Sequence, residues 1–238
     1  MKKFLISVIL ITTAILVAWK INYPKSDYPS GEWRYKITME IETPEGIKTG
    51  STVREISNST PRLDFPDNGN PATVKGEAVV IDLGQRGLVF SLITDRSDEE
   101  LYRSFPTQGP STPKGIRYYN SLKAGMKADL PPMYYPAFVM FKDINDPKSV
   151  TLVREEAFFP MREKKAPIDN FEELFGAGVK LKSITVEITD APVSWGIEKG
   201  LPWLPEVLMS NIDGTSVSFE NKLSNTLHGG NFKTGEKL

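Results

Sequence analysis

The chain has 238 residues, with 29 Lys and Arg against 30 Asp and Glu, a single His and no Cys. This near-neutral balance, without a basic block, argues against nucleic-acid binding through phosphate neutralisation. The missing thiols exclude disulfides, Cys-ligated zinc, iron–sulfur clusters and thiol catalysis, and a lone His excludes a zinc site built on two imidazoles; no metal or cofactor is expected.

The chain opens on Lys2 and Lys3, followed by the uncharged run Phe4 to Trp19 and then Lys20. As a helix, this run predicts a signal-anchor over residues 1–21 that holds the protein in the inner membrane by a single pass. The basic start places the rest of the chain on the periplasmic side. A cleaved signal peptide is the alternative, although Leu16 occupies a position where cleavage before Trp19 wants a small residue. Residues 22–31, with two Tyr-Pro pairs, read as a linker.

A domain spanning 32–224 follows. Trp33, Tyr35, Ile37, Met39 and Ile41 alternate with charged and polar residues, which predicts a half-buried strand. Thr43-Pro44-Glu45-Gly46 turns it into a return strand over 47–56. Residues 57–71 read as a loop containing the sequon Asn58-Ser59-Thr60. Ala72 to Leu83 and Leu88 to Ile93 read as two further strands of one meander, with the run Ala78 to Ile81 buried on both faces. Ser97-Asp98-Glu99-Glu100 has the form of a capping box and predicts a helix over 98–104 that buries Leu101 and Phe105. A second helix is expected over 116–126, then strands over 137–141 and 149–154. A short helix carrying Phe171, Leu174 and Phe175 on one face ends at Gly176, and a strand covers 179–189. Residues 190–205 read as irregular, with one helical turn near 194–199. Val207 to Ile212 and Ser216 to Phe219 read as a last hairpin about Asp213-Gly214. Residues 225–238 read as a flexible tail.

The motifs for chemistry are weak. His228 falls in the tail, where no imidazole could be held for catalysis. Asp143-Ile144-Asn145-Asp146 lacks the Gly and bidentate acid of a calcium loop. Gly176-Ala177-Gly178 follows a helix and precedes a strand, the reverse of a phosphate cradle. Glu99/Glu100, Glu155/Glu156 and Glu172/Glu173 are adjacent pairs whose members point in different directions. No catalytic residue is assigned. The candidate binding edge is Trp195, Glu198, Lys199 and Trp203, two indoles and two charges on an irregular segment; the plainer reading is that the indoles plug the open end of a sheet. Tyr118, Tyr119, Tyr134 and Tyr135 could form a second aromatic surface.

The string from Phe175 to Leu204 (FGAGVKLKSITVEITDAPVSWGIEKGLPWL), with FKDINDPKSV upstream, the hairpin over 33–56 and GEAVVIDLG, resembles a group of uncharacterised proteobacterial proteins with an N-terminal anchor. The resemblance covers most of residues 33–204 and implies a bacterial envelope setting, but no catalytic residue. The fold class expected from the whole chain is α+β: an N-terminal transmembrane helix, then a mainly antiparallel sheet domain with short helices. The function expected is a non-catalytic binding or scaffolding domain with an envelope protein as partner. A hydrolase relying on carboxylates alone and a carrier of a small apolar ligand are the alternatives.

Overall fold

The computed structural model of the chain describes residues 28–61, 72–156, 168–217 and 222–236. The first hairpin dominates it. β1 (Ser30–Thr43) and β2 (Gly46–Ser59) pair along their whole length about the two-residue turn Pro44-Glu45. Gly46 adopts φ 117° there, and the Thr43 hydroxyl donates to its carbonyl at 2.7 Å. The remaining strands are β3 (Thr73–Glu77), β4 (Val79–Asp82), β5 (Leu88–Ser91), β6 (Lys127–Asp129), β7 (Phe138–Phe141), β8 (Val150–Arg154), β9 (Lys180–Ile188) and β10 (Lys233–Thr234). They form two antiparallel sheets, a six-stranded one ordered β10-β3-β2-β1-β9-β6 and a four-stranded one ordered β4-β5-β7-β8. Five short α-helices, α1 (Asp98–Ser104), α2 (Pro113–Ser121), α3 (Phe171–Phe175), α4 (Leu204–Val207) and α5 (Leu223–Thr226), and five single-turn 3-10 helices complete the described elements.

This corrects the expected fold class. The described part of the chain is two antiparallel β-sheets with a few short helices, and none of its helices is long and apolar enough to cross a membrane. The transmembrane helix expected over 1–21 and most of the linker lie outside the described residues. The β-rich reading holds.

The sheets are layered. The inward face of β1 (Trp33, Tyr35, Ile37, Met39, Ile41) and Ile184, Val186 and Ile188 of β9 pack against Val79, Ile81, Val89, Phe138 and Val153 of the smaller sheet, and α1, α2 and α3 close this first core. The other face of the smaller sheet presents Phe90, Val139 and Phe141 to a second core, covered by Ile197, Leu201, Leu204, Ile212 and Phe232. Strands buried on both faces lose the polar alternation of a solvated sheet, which is why 78–81 reads as a continuous apolar run. Gly50 sits at a close contact between the two sheets; a Cβ there would collide with the Val80 carbonyl and the Ile81 side chain.

Three expectations fail on tertiary grounds. The strand over 72–83 is broken between Glu77 and Val79, so β3 joins the large sheet and β4 the small one. Gly76, at φ 140°, passes directly over Arg54, where a Cβ would sit 2.9 Å from its Cγ. The hairpin over 207–219 is absent among the described residues. There the Asn211 backbone N–H closes a tight turn on Thr215 O at 2.9 Å, and Ile212 N and Asp213 N donate to Leu227 O and Ser224 O, so this backbone pairs with residues 224–228 and not with a return strand over 216–219. Finally, residues 225–236 do not fray: Asn225 and Phe232 are buried, and the segment returns to the large sheet as β10.

Candidate functional site

The four residues of the candidate edge are divided by the fold. Trp203 is half-buried; its indole N–H donates to Ile144 O at 2.9 Å, and its ring packs on Phe141 and Phe232 at 5.3 and 6.0 Å. It is part of the second core. Trp195 is 38% exposed, and the Lys233 ammonium stands 5.4 Å from its ring centroid. Lys233 also pairs with Glu198 and Glu236. Burial opposes the charge on Lys233, but these two carboxylates outweigh it and raise its pKa. Lys199 is exposed. Trp195 and Glu198 therefore meet at a lysine, while Trp203 faces the interior. The tyrosines are structural as well: Tyr119 is buried and donates to Phe105 O at 3.0 Å, Tyr118 stacks edge-on against it, and Tyr134 and Tyr135 lie beneath Arg103 and Arg154. Asn58 of the sequon is buried and donates through Nδ2 to the Tyr102 hydroxyl at 2.7 Å, so it is not presented for glycosylation.

Beneath β1 and β2, the central strands of the large sheet, lies a buried polar group that the sequence hides. The alternate residues Gly50, Thr52, Arg54, Ile56 and Asn58 of β2 all face inward. Arg54 is fully buried. Its Nη1 donates to both carboxylate oxygens of Glu100, at 2.6 and 2.8 Å, and its Nε donates to Glu77 O at 3.0 Å. The Tyr35 hydroxyl donates to the same carboxylate at 2.8 Å. Burial pushes the Tyr35 phenol well up, and the Glu100 charge adds to the rise. Glu100 thus has its side chain turned into the core and is not the partner of a capping box; Ser97 Oγ instead accepts from Thr94 N at 2.9 Å. This group fixes the start of α1, and with it the loop Ile93–Asp98, against the sheet.

That loop forms one wall of a cleft of about 530 Å³, within the size range of small-ligand sites. The second wall is the beginning of β3 (Ala72, Thr73, Val74), and the third is the segment His228–Thr234. Asn231 ties two of the walls together. Its Nδ2 donates to Ile93 O and its own carbonyl accepts from Ile93 N, both at 2.8 Å, while its Oδ1 accepts from His228 N at 2.7 Å. His228 is exposed, and its Nδ1 accepts weakly from Gly230 N at 3.4 Å, which leaves the neutral ring's proton on Nε2. Thr94, Asp95 and Asp98 line the opposite side. Asp95 is exposed and Asp98 largely buried. Behind them Thr94 Oγ1 donates to Glu156 at 3.3 Å, and burial pushes the Glu156 carboxyl up.

The cleft joins residues from sequence positions near 73, 95 and 230. Only Gly229 offered a hint: a Cβ there would collide with the Val207 carbonyl and Leu208, a close approach that a frayed tail would not need. Among the described residues no group of three or more His, Cys, Asp or Glu could hold a metal ion. Comparison with protein-family models, curated proteins and solved structures finds no match to this chain.

Proposed function

We propose that this is a binding domain that works outside the cytoplasm and takes a polar, cationic group into the cleft between β3, the loop Ile93–Asp98 and the segment His228–Thr234. The observation that carries the reading is the cleft itself, with walls held by Asn231 and by the Arg54–Glu100–Tyr35 group and a lining that includes two carboxylates. Walls fixed before the ligand arrives lose less freedom on binding. The polar lining favours a charged ligand over an apolar one. Binding is favoured over turnover because, among the described residues, the imidazole of His228 is steadied by a backbone N–H and not by a carboxylate of the kind that orients a catalytic base. Lys2 and Lys3 ahead of the apolar run 4–19 support the envelope address.

The test is an NMR titration of the full chain in a nonionic detergent with n-butylammonium and, separately, with butyrate. Butylammonium is expected to shift the resonances of Thr94, Asp95, Asp98 and His228 and butyrate to leave them in place. Equal shifts with both, or none with either, would overturn the reading. One observation favours a second reading, carboxylate hydrolysis: Asp95 and Asp98 line the same cleft. Glycan cleavage by the full chain, abolished by Asp95→Asn, would establish it instead.

A further inference from the structure

Between Glu100 and Asp129 the sequence holds no Asp or Glu but five cations: Arg103, Lys114, Arg117, Lys123 and Lys127. The fold gives two of them carboxylate partners, Arg103 with Glu99 and Lys127 with Glu187. The other three stand on α2 and the turn that follows it. Gly115, Ile116 and Tyr119 of α2 are buried, so Lys114, Arg117, Asn120 and Ser121 make up its exposed side. Lys123 opens a turn closed by Met126 N, which donates to Lys123 O at 3.1 Å, and this turn leaves Met126 42% exposed. Lys114 and Lys123 enter no ion pair among the described residues.

This basic face lies at one end of the large sheet. Asn120 accepts from the Trp33 indole at 2.9 Å and donates to Ser30 O at 3.4 Å, at the start of β1. Gly125 N donates to Ile188 O at 2.8 Å, at the end of β9. The chain enters β1 from Tyr28 at this same end, and seven residues separate Tyr28 from Lys20, where the apolar run 4–19 stops. A stretch of that length reaches at most about 28 Å. The hairpin turn Pro44-Glu45 lies at the other end of β1, roughly 44 Å away at about 3.4 Å per residue.

We infer that α2 and the turn Lys123–Met126 form a docking face for an anionic phospholipid surface, with Lys114, Arg117 and Lys123 against lipid phosphates and Met126 in the headgroup layer. The inference rests on the envelope address above and is independent of the ligand of the cleft. An uncharged run after two lysines favours lipid over water. Held there, the run keeps the start of β1, and α2 with it, close to the bilayer. Cations near an anionic leaflet are attracted to it, and the attraction fades within a Debye length. Three cations alone would bind weakly. The short connection makes their docking intramolecular, so that modest attraction is enough to orient the domain.

Because the chain has no Cys, Ser121→Cys and Thr49→Cys each create a single labelling site, one on α2 and one near the hairpin turn, both at exposed positions. The full chain, labelled with bimane, is reconstituted into vesicles of equimolar phosphatidylcholine and phosphatidylglycerol that carry a headgroup nitroxide. The label at 121 is expected to be quenched about twofold or more beyond the label at 49. This excess should disappear in pure phosphatidylcholine, in high salt, and in the variant Lys114→Glu with Lys123→Glu, whose circular dichroism should be unchanged. Equal quenching at the two sites, or an excess that survives the charge reversal or the neutral lipid, would overturn the docking face. A chain that floats with the vesicles without quenching at 121 removes the face and leaves the envelope address standing; a chain that does not float with them removes both. A response of the label at 121 to soluble polyglutamate but not to vesicles would make the occupant an acidic protein and overturn the choice of lipid.

Discussion

The four-stranded sheet is buried on both faces, and the two faces are covered by different chemistry. Toward the large sheet, hydrocarbon packing is interrupted by an ion pair: Arg54 and Glu100 meet with side chains 0% and 3% exposed, capped by the Tyr35 hydroxyl. Toward the C-terminal segment, the core is apolar throughout, built on Phe90, Phe141 and Phe232 with centroids 5.6 to 6.3 Å apart. An apolar core tolerates gradual loss, because each removed group forfeits its own contacts. A buried ion pair does not, because losing one member strands the other charge away from water. The polar face also positions the loop that walls the cleft.

The comparison breaks most sharply at Glu100. Glu100→Ala should destabilise the fold by about 3–5 kcal/mol in urea unfolding, whereas the double change Arg54→Met with Glu100→Leu should recover most of that loss. If the double variant is as unstable as the single one, packing rather than the stranded charge is responsible. On the apolar face, Phe232→Ala should cost about 3–4 kcal/mol, and combined with Glu100→Ala the two losses should add to within about 0.5 kcal/mol. Trp195→Ala, on the surface, should stay within about 0.5 kcal/mol of the parent.

On the first of these faces, where β2 meets β4, stands the contact at Gly50. Gly50→Ala places a methyl against the Val80 carbonyl and should cost about 1–3 kcal/mol, read as a lower urea midpoint with little change in slope. Tyr35→Phe, which removes one hydrogen bond to a charged group, should cost about 1.5–3 kcal/mol. It should also change the alkaline limb of stability. An unfolded Tyr ionises near pH 10, but burial and then the Glu100 charge hold Tyr35 protonated well beyond that in the fold. Its contribution is complete below about pH 10 and is lost as the pH rises through the folded value, so the variant should show a shallower alkaline decline.

The smallest effect is expected at Glu156. Burial raises its carboxyl pKa, so the stability linked to its proton is present at acid pH and lost as pH rises through the folded value. Glu156→Gln should therefore give a small gain near neutral pH, smaller than any loss above, that disappears in acid.

Period-two alternation in residues 33–41 and 184–188 specified half-buried strands, because a pleated chain with one wet face must separate its residues by face. Pro44 and Gly46 specified the turn of the first hairpin and Gly176 the stop of α3; α1 begins at the expected place, but without the capping box that predicted it. Such signals are local, written within a few residues of the feature they encode. The division into two sheets at Gly76–Val79, the inward turn of Glu100, the folding-back of residues 225–236 and the cleft they form were decided only by tertiary structure. The ladder around Asp213-Gly214 failed for the same reason: Ile212 and Asp213 give their backbone N–H groups to Leu227 and Ser224, partners no hairpin rule considers. An Arg on a strand reads as a solvated residue until a Glu 46 positions away is brought against it. That partnership depends on long-range packing, because only burial makes the pairing of the two charges decisive.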